Sequence, residues 1–418
     1  MNTSPSITRR NLLLASTAAL LPSCTPTREY SPDLAAHPSE IKDYPPNLKI
    51  TRIQSFNLPL KRPKFIGRNS QRNNHGDHTV EYMVRIHTNA GIDGLGFSKA
   101  PRENWTKLIG KNPFHFYQQQ KNGFVSPIGT HTMALWDLAG KALNKPVYQL
   151  LGGKGTKLVP VYDGSIYFSE MVPLYAQQGL DRFKVEIDQG RAAGHRAFKI
   201  KIGRGYKWME KNAGYQMDLA VLKTIRRHAG PKIKLGVDAN NGYDLEQTKR
   251  LLNDIPDFNF EFMEEMFPES IKQYRELKVF MTERNHKTLI ADGESRQRPD
   301  DLKPFIDAKA IDIFQGDMRN FGFEGILTEA QLCKAAGLRV APHNWGSLFG
   351  FYMQLHVGRA INNFYMAEHD PLTSDLLIAD GYNIKDGKCT VPDAPGFGLT
   401  LDETRFSNIL KPIFDLQI

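Results

Sequence analysis

Ala197-Phe-Lys-Ile-Lys-Ile-Gly203 reads as one short apolar strand carrying two lysines. Alternate side chains of a strand share a face, so Lys199 and Lys201 point to the same side of a sheet. On a surface strand both amines are simply solvated. Inside a barrel, two desolvated cations side by side lower each other's pKa, which prepares an amine to act as a base near neutral pH. The rest of the chain decides between these readings.

From Val159 onward, apolar strands alternate with helices. Strands end near Asp163, Lys201, Asp238, Glu264, Ala291, Gln315, Pro342 and Ala367. Helical stretches between them include residues 217–228, 245–253 and 323–336. Eight strand positions in alternation point to an α/β parallel barrel. An open doubly wound sheet would want a glycine-rich phosphate turn after its first strand, and Asp163-Gly-Ser165 does not supply one.

Polar residues fall just at the strand ends, where barrel enzymes place their chemistry. Gly236-Val-Asp238, Phe262-Met-Glu264 and Ile290-Ala-Asp-Gly-Glu294 put a carboxylate at three successive strand ends, with Asp292 an alternative to Glu294. Each carboxylate alone reads as a helix cap. Three together suit a hard cation such as Mg²⁺. The next strands bring Asp317 and Ala341-Pro-His343. A carboxylate beside an imidazole orients it and raises its basicity, so His343 is a candidate base facing Lys201. Glu368 ends the eighth strand. If protonated, it can donate a hydrogen bond to an oxyanion; otherwise it is a cap or an ion-pair partner.

Upstream, residues 49–56 and 79–87 alternate as strands, and residues 89–94 form a hairpin turn. Between them a long loop from Lys61 to His78 carries Arg62, Lys64, Arg68, Arg72, His75 and His78, a set suited to covering an anion. Residues 130–143 read as an amphipathic helix. With 418 residues, 40% of them hydrophobic, the chain has material for a barrel with additions. Its net charge of +9 is spread along the chain without basic-aromatic runs, which argues against nucleic acid and mildly favours an anionic small substrate. Three cysteines are too few for a disulfide framework. Thr8-Arg-Arg-Asn-Leu-Leu-Leu14 resembles a twin-arginine export signal, and Leu21-Pro-Ser-Cys24 a lipoprotein cleavage box. An exported protein, periplasmic or tethered through a lipid on Cys24, is the expectation.

From about residue 48 to its end the chain resembles the enolase superfamily, in its mandelate racemase subgroup. Lys199-Ile-Lys201, the three strand-end carboxylates, Asp317 with His343, Ala134-Leu-Trp-Asp-Leu-Ala-Gly-Lys141 and Leu150-Leu-Gly-Gly153 carry the likeness. It implies a modified TIM barrel, (β/α)7β, with an α+β N-terminal capping domain. The implied division is a leader over 1–24, a linker over 25–47, the capping domain over 48–157, the barrel over 158–385 and a segment returning to the capping domain over 386–418.

The resemblance also implies roles. Lys201 and His343 are bases, Asp317 orients His343, Lys199 assists, and Glu368 faces the enolate. Asn240, Lys199 and His75 contact substrate. Asp238, Glu264 and Glu294 bind one Mg²⁺ per subunit, with Mn²⁺ an alternative metal. A small carboxylate is the expected partner and a homo-oligomer the expected assembly. The reaction expected first is dehydration of an acid sugar; racemisation or epimerisation, and a tethered sugar-acid binding protein, are the alternatives. Met266 stands where the family usually has proline after its paired acids.

Overall fold

The computed structural model describes residues 38–153, 157–409 and 411–418. The leader, Cys24 and the linker through residue 37 lie outside the described residues. Three strands open the described chain: β1 (Ile50–Ile66), β2 (Gly76–Thr88) and β3 (Asp93–Phe97). They form an antiparallel sheet against which α1 (Met133–Ala142) packs its apolar face.

The barrel follows as β4 (Leu158–Ile166), α2 (Asp181–Ala192), β5 (Ala197–Lys201), α3 (Lys211–Ala229), β6 (Lys234–Asp238), α4 (Leu245–Asp254), β7 (Phe262–Glu264) and α5 (Ile271–Glu283). It continues as β8 (Leu289–Asp292), α6 (Lys303–Asp307), β9 (Ile313–Phe314), α7 (Met318–Ala335), β10 (Arg339–Val340), α8 (Leu348–Ala360) and β11 (Ala367–His369). Strands β4 to β10 pair in parallel in chain order, and β11 pairs with β4. The last seam is thin. The N–H of Val340 donates to Asn363 O at 3.0 Å, and Tyr365 N–H donates to Val340 O at 2.8 Å. Residues 363–365 lead directly into β11, so this one bridge closes the ring.

Period-two alternation fills the barrel in layers. Tyr162, Ala197, Phe262, Ala291, Ile313, Ala341 and Met366 form an apolar plug. Gly236 belongs to this layer because a Cβ there would meet the Phe262 ring at 2.5 Å. Two residues further along the strands come Lys199, Asp238, Glu264, His343 and Glu368. The same alternation that points the plug inward points these charges inward.

The chain end returns to the first sheet. Strand β12 (Phe414–Gln417) pairs antiparallel with β1, and Arg52 donates Nε–H to Asp415 at 2.8 Å. Before that, Lys388–Thr390 pairs antiparallel with β4, so part of the tail lines the barrel wall. Buried carboxylates join the two parts. Glu81 on β2 accepts the backbone N–H groups of Leu348 and Phe349 at the start of α8. Glu324 on α7 accepts from Phe124 N, Thr132 Oγ1 and Trp136 Nε1 at 2.8–2.9 Å.

One expectation is corrected here. The stretch from Lys61 to His78 is not one long loop: β1 runs on to Ile66 and β2 begins at Gly76, leaving residues 67–75 as the connection. The β1–β2 ladder continues through Lys61↔His78 and resumes at Ile66↔Gly76. Charged side chains at alternating positions hid the strand, because their partners lie far away in sequence.

Candidate active site

The C-terminal ends of the barrel strands and the 67–75 connection enclose a cavity of about 540 Å³. Lys201, Asn240, Glu294, Asp317, His343 and Glu368 all line it, as does His75. Both candidate bases and Glu294 thus line one cavity. Asp238, Glu264 and Lys199 lie just beneath, fully buried.

Lys199 and Lys201 sit among carboxylates. Lys199 Nζ lies 2.6 Å from Glu264, 2.7 Å from Glu368 and 3.3 Å from Asp238. Lys201 donates to Asp238. Burial alone would lower Lys199, but the Glu264 and Glu368 charges outweigh it and hold its pKa well above the ordinary range. The expectation that the two amines depress one another fails for Lys199, because a strand pattern does not show the counter-charges from neighbouring strands.

The same ion pair corrects the reading of Glu368 as a protonated donor. Burial would raise its carboxyl, yet Lys199 and His343 pull it below its usual range, so it accepts hydrogen bonds. One of these comes from Asn344 N–H at 2.9 Å. Asp238 is likewise kept ionised against burial by Lys201 and Lys199. Glu264 goes the other way: burial first, then the nearby carboxylates, push it well above the carboxylate range.

His343 donates Nδ1–H to Asp317 at 2.7 Å, and its Nε2 lies 3.2 Å from Glu294. Burial opposes its charge, but Glu294 and the Asp317 hydrogen bond raise its pKa to about 10. Asp317 also caps α7 through Arg319 N–H and pairs with the Arg319 guanidinium at 3.1 Å. Asp292 turns away from the cavity to the Tyr274 hydroxyl and Gly293 N–H, which leaves Glu294 as the strand-end carboxylate in the cavity.

Asn240 holds a left-handed φ of 42°, donates Nδ2–H to Glu265 and keeps a buried Oδ1 without a partner. His75 accepts the Trp345 indole N–H at 3.2 Å. Glu265, Arg319, Trp345 and Tyr167 line the cavity without having been singled out from the sequence. Glu265 had a signal, being the second of the paired acids. Burial and then Glu294 raise its pKa to about 8.

Among the described residues, no three His, Cys, Asp or Glu side chains converge closely enough to ligate a metal. The two ammoniums occupy the place a counter-cation would take. The donor chemistry nonetheless fits a hard divalent ion: Asp238, Glu264 and Glu294 offer oxygen only, and Gln315 beside Glu264 has a buried Oε1 without a partner.

Residues 182–405 match the family described as Enolase C-terminal domain-like. That span is more than half of the chain. The chain belongs to this family. Similar proteins include an arabinonate dehydratase of Saccharolobus solfataricus, 29% identical over 65% of this chain and 69% of the relative. A D-galactarolactone cycloisomerase of Agrobacterium fabrum is 26% identical over 71% of this chain and 76% of the relative. Galacturonate dehydratase from a Geobacillus species, crystallised with D-galacturonate and 5-keto-4-deoxy-D-galacturonate, superposes with a TM-score of 0.79 at 30% identity, over 87% of this chain and 96% of that one. The fold is thus shared over 87% of this chain.

Proposed function

We propose that this protein is an Mg²⁺-dependent hydro-lyase that dehydrates an acid sugar to a 2-keto-3-deoxy acid. The observation that carries the reading is a single cavity holding Lys201 and the Asp317-supported His343 together with strand-end carboxylates. The dehydratases among its relatives support the reaction class, and a galacturonate dehydratase mutant crystallised with Mg supports the metal. Asp238, Glu264 and Glu294 would hold the ion. It supplies positive charge that makes the proton alpha to a carboxylate more acidic.

Lys201 Nζ takes that proton, which requires the amine to be free of its ion pair with Asp238. The C–H electron pair moves toward the carboxylate, and Lys199, held by Glu264 and Glu368, donates a hydrogen bond to the charge that develops. Asp317 holds Nδ1–H and His343 is raised to about 10, so near neutral pH the ring is an imidazolium that also carries a proton on Nε2. It delivers the Nε2 proton to the departing 3-hydroxyl, which leaves as water, and the enol product tautomerises to the ketone. The balance differs from that of an epimerase, in which the proton would return to the alpha carbon.

The test is keto-acid formation from a panel of acid sugars with Mg²⁺. Lys201→Ala and His343→Asn are expected to lose about 10²–10⁴-fold or more in kcat while remaining folded by circular dichroism. Solvent deuterium at the alpha carbon without net product would replace dehydration by epimerisation. Full activity in either variant would sink the assignment. We also propose export with a lipid on Cys24, supported by the Arg9-Arg10 pair and the Leu21–Cys24 box.

A further inference from the structure

Seven basic side chains lie between Lys61 and His78, and five of them are committed. Lys61 pairs with Asp375 at 3.5 Å, Arg62 with Asp370 at 2.7 Å, Lys64 with Glu186 at 2.9 Å and His78 with Asp77 at 2.8 Å. Arg68 lies over the Trp208 ring at 4.3 Å. Arg72 and His75 remain, and both line the catalytic cavity.

Arg72 stands apart from the other cations of that cavity. Lys201 has Asp238, Arg319 has Asp317, and His343 has Asp317 and Glu294. Among the described residues the Arg72 guanidinium has neither an ion-pair nor a hydrogen-bond partner; only its backbone is tied, by N–H donation to Asn69 Oδ1 at 2.7 Å. His75 adds a second donor. The Trp345 indole N–H donates to Nδ1, so a neutral ring carries its proton on Nε2, and that buried nitrogen has no partner. Burial and the neighbouring Lys201 keep the ring neutral, with a pKa near 3.

The backbone presenting these groups is fixed before substrate arrives. Ser70 Oγ–H donates to Ala239 O at 2.7 Å, Gln71 Nε2–H to Asn240 O at 2.9 Å and Trp208 Nε1–H to Asn69 O at 2.6 Å. The connection is thus stitched to the segments after β5 and β6, and little ordering cost remains for binding.

We infer that Arg72 and the Nε2–H of His75 form a distal carboxylate subsite, so that the substrate is an aldaric acid, a sugar acid with a carboxylate at each end. A guanidinium fork with one further N–H matches the two oxygens of a carboxylate. A terminal phosphate would present three oxygens and more charge than one guanidinium balances. The inference rests on the proposed dehydration only for which end reacts.

Matched pairs that differ only at C6 test it: galactarate against galactonate, and glucarate against gluconate, with 6-phosphogluconate as the phosphate control. Wild-type protein with Mg²⁺ is expected to favour the diacid in kcat/KM by about tenfold or more. Arg72→Ala should reduce that diacid-to-monoacid ratio at least about tenfold, Arg72→Lys less, and Arg72→Glu should invert it. High salt should also narrow the ratio, since Arg72 is exposed. A ratio that Arg72→Ala leaves within about twofold, or a preference for the monoacid or the phosphate, overturns the subsite. Thermal shift with each acid is read in parallel. If no acid is dehydrated, the reaction assignment fails, while a diacid-selective shift that Arg72→Ala abolishes still upholds the subsite, and its absence removes it.

Discussion

Glu329 lies on α7 beneath the turn after β9, fully buried, and accepts Gly316 N–H at 3.3 Å while its Oε2 has no partner. Burial pushes its carboxyl up to about 8. The folded protein therefore favours the protonated form more than the unfolded chain does. The stability this group contributes is complete below its unfolded pKa, near 4.5, and is lost as pH rises through about 8. Glu329→Gln should raise Tm by a few degrees at about pH 9, with the difference closing toward about pH 5; a constant gap across that range would contradict the account. His343 shows the opposite use of charge. Its pKa near 10 keeps an imidazolium in a buried place, which suits a proton donor to a leaving hydroxyl.

Among the elements, α7 does two jobs, one on each side of a kink. Its first turn positions Asp317 for His343, and Glu324 further along reaches into the segment that precedes α1. Gly322 breaks the helix between them with a φ of 62°, and a Cβ there would meet Thr130 O at 2.5 Å. The capping sheet and the barrel thus share one helix with a deliberate kink. Glu324→Ala should cost about 2–3 kcal/mol, because it leaves the donors of Phe124, Thr132 and Trp136 buried without an acceptor. Chemical denaturation checks this, and an effect below about 0.5 kcal/mol would mean that water reaches those donors. Strand β12 is a second shared element. Ending the chain before Ile413 should uncover the β1 edge and promote self-association, read by light scattering.

For the whole molecule, binding of a divalent cation to the folded state alone should stabilise it by mass action. Tm should rise on titration with Mg²⁺, and substitution of Glu264 by Gln should abolish the rise; Ca²⁺ or Mg²⁺ without effect on Tm would count against a metal at these carboxylates. Among the described residues, no helix is long and apolar enough to cross a membrane. The lipid proposed on Cys24 would make the leader the point of membrane attachment. Cys24→Ala should move the protein from the membrane fraction to the soluble exported fraction, while unchanged fractionation would refute lipid tethering.

The barrel was legible because strand and helix periods are set by local backbone geometry. Eight apolar strands with polar residues at or just past their ends give both the ring and the layer where its chemistry lies, and Lys199, Lys201, Asp238, Glu264 and His343 could be read from that register alone. What charge each group carries, and which cations stay free, depended on contacts made only after folding. Arg62 finds Asp370 across 308 residues, and Glu368 on β11 finds Lys199 on β5, the two strands that flank β4, so Glu368 became an acceptor. Electrostatic state follows distance in space, and distance in space is what a linear chain does not display.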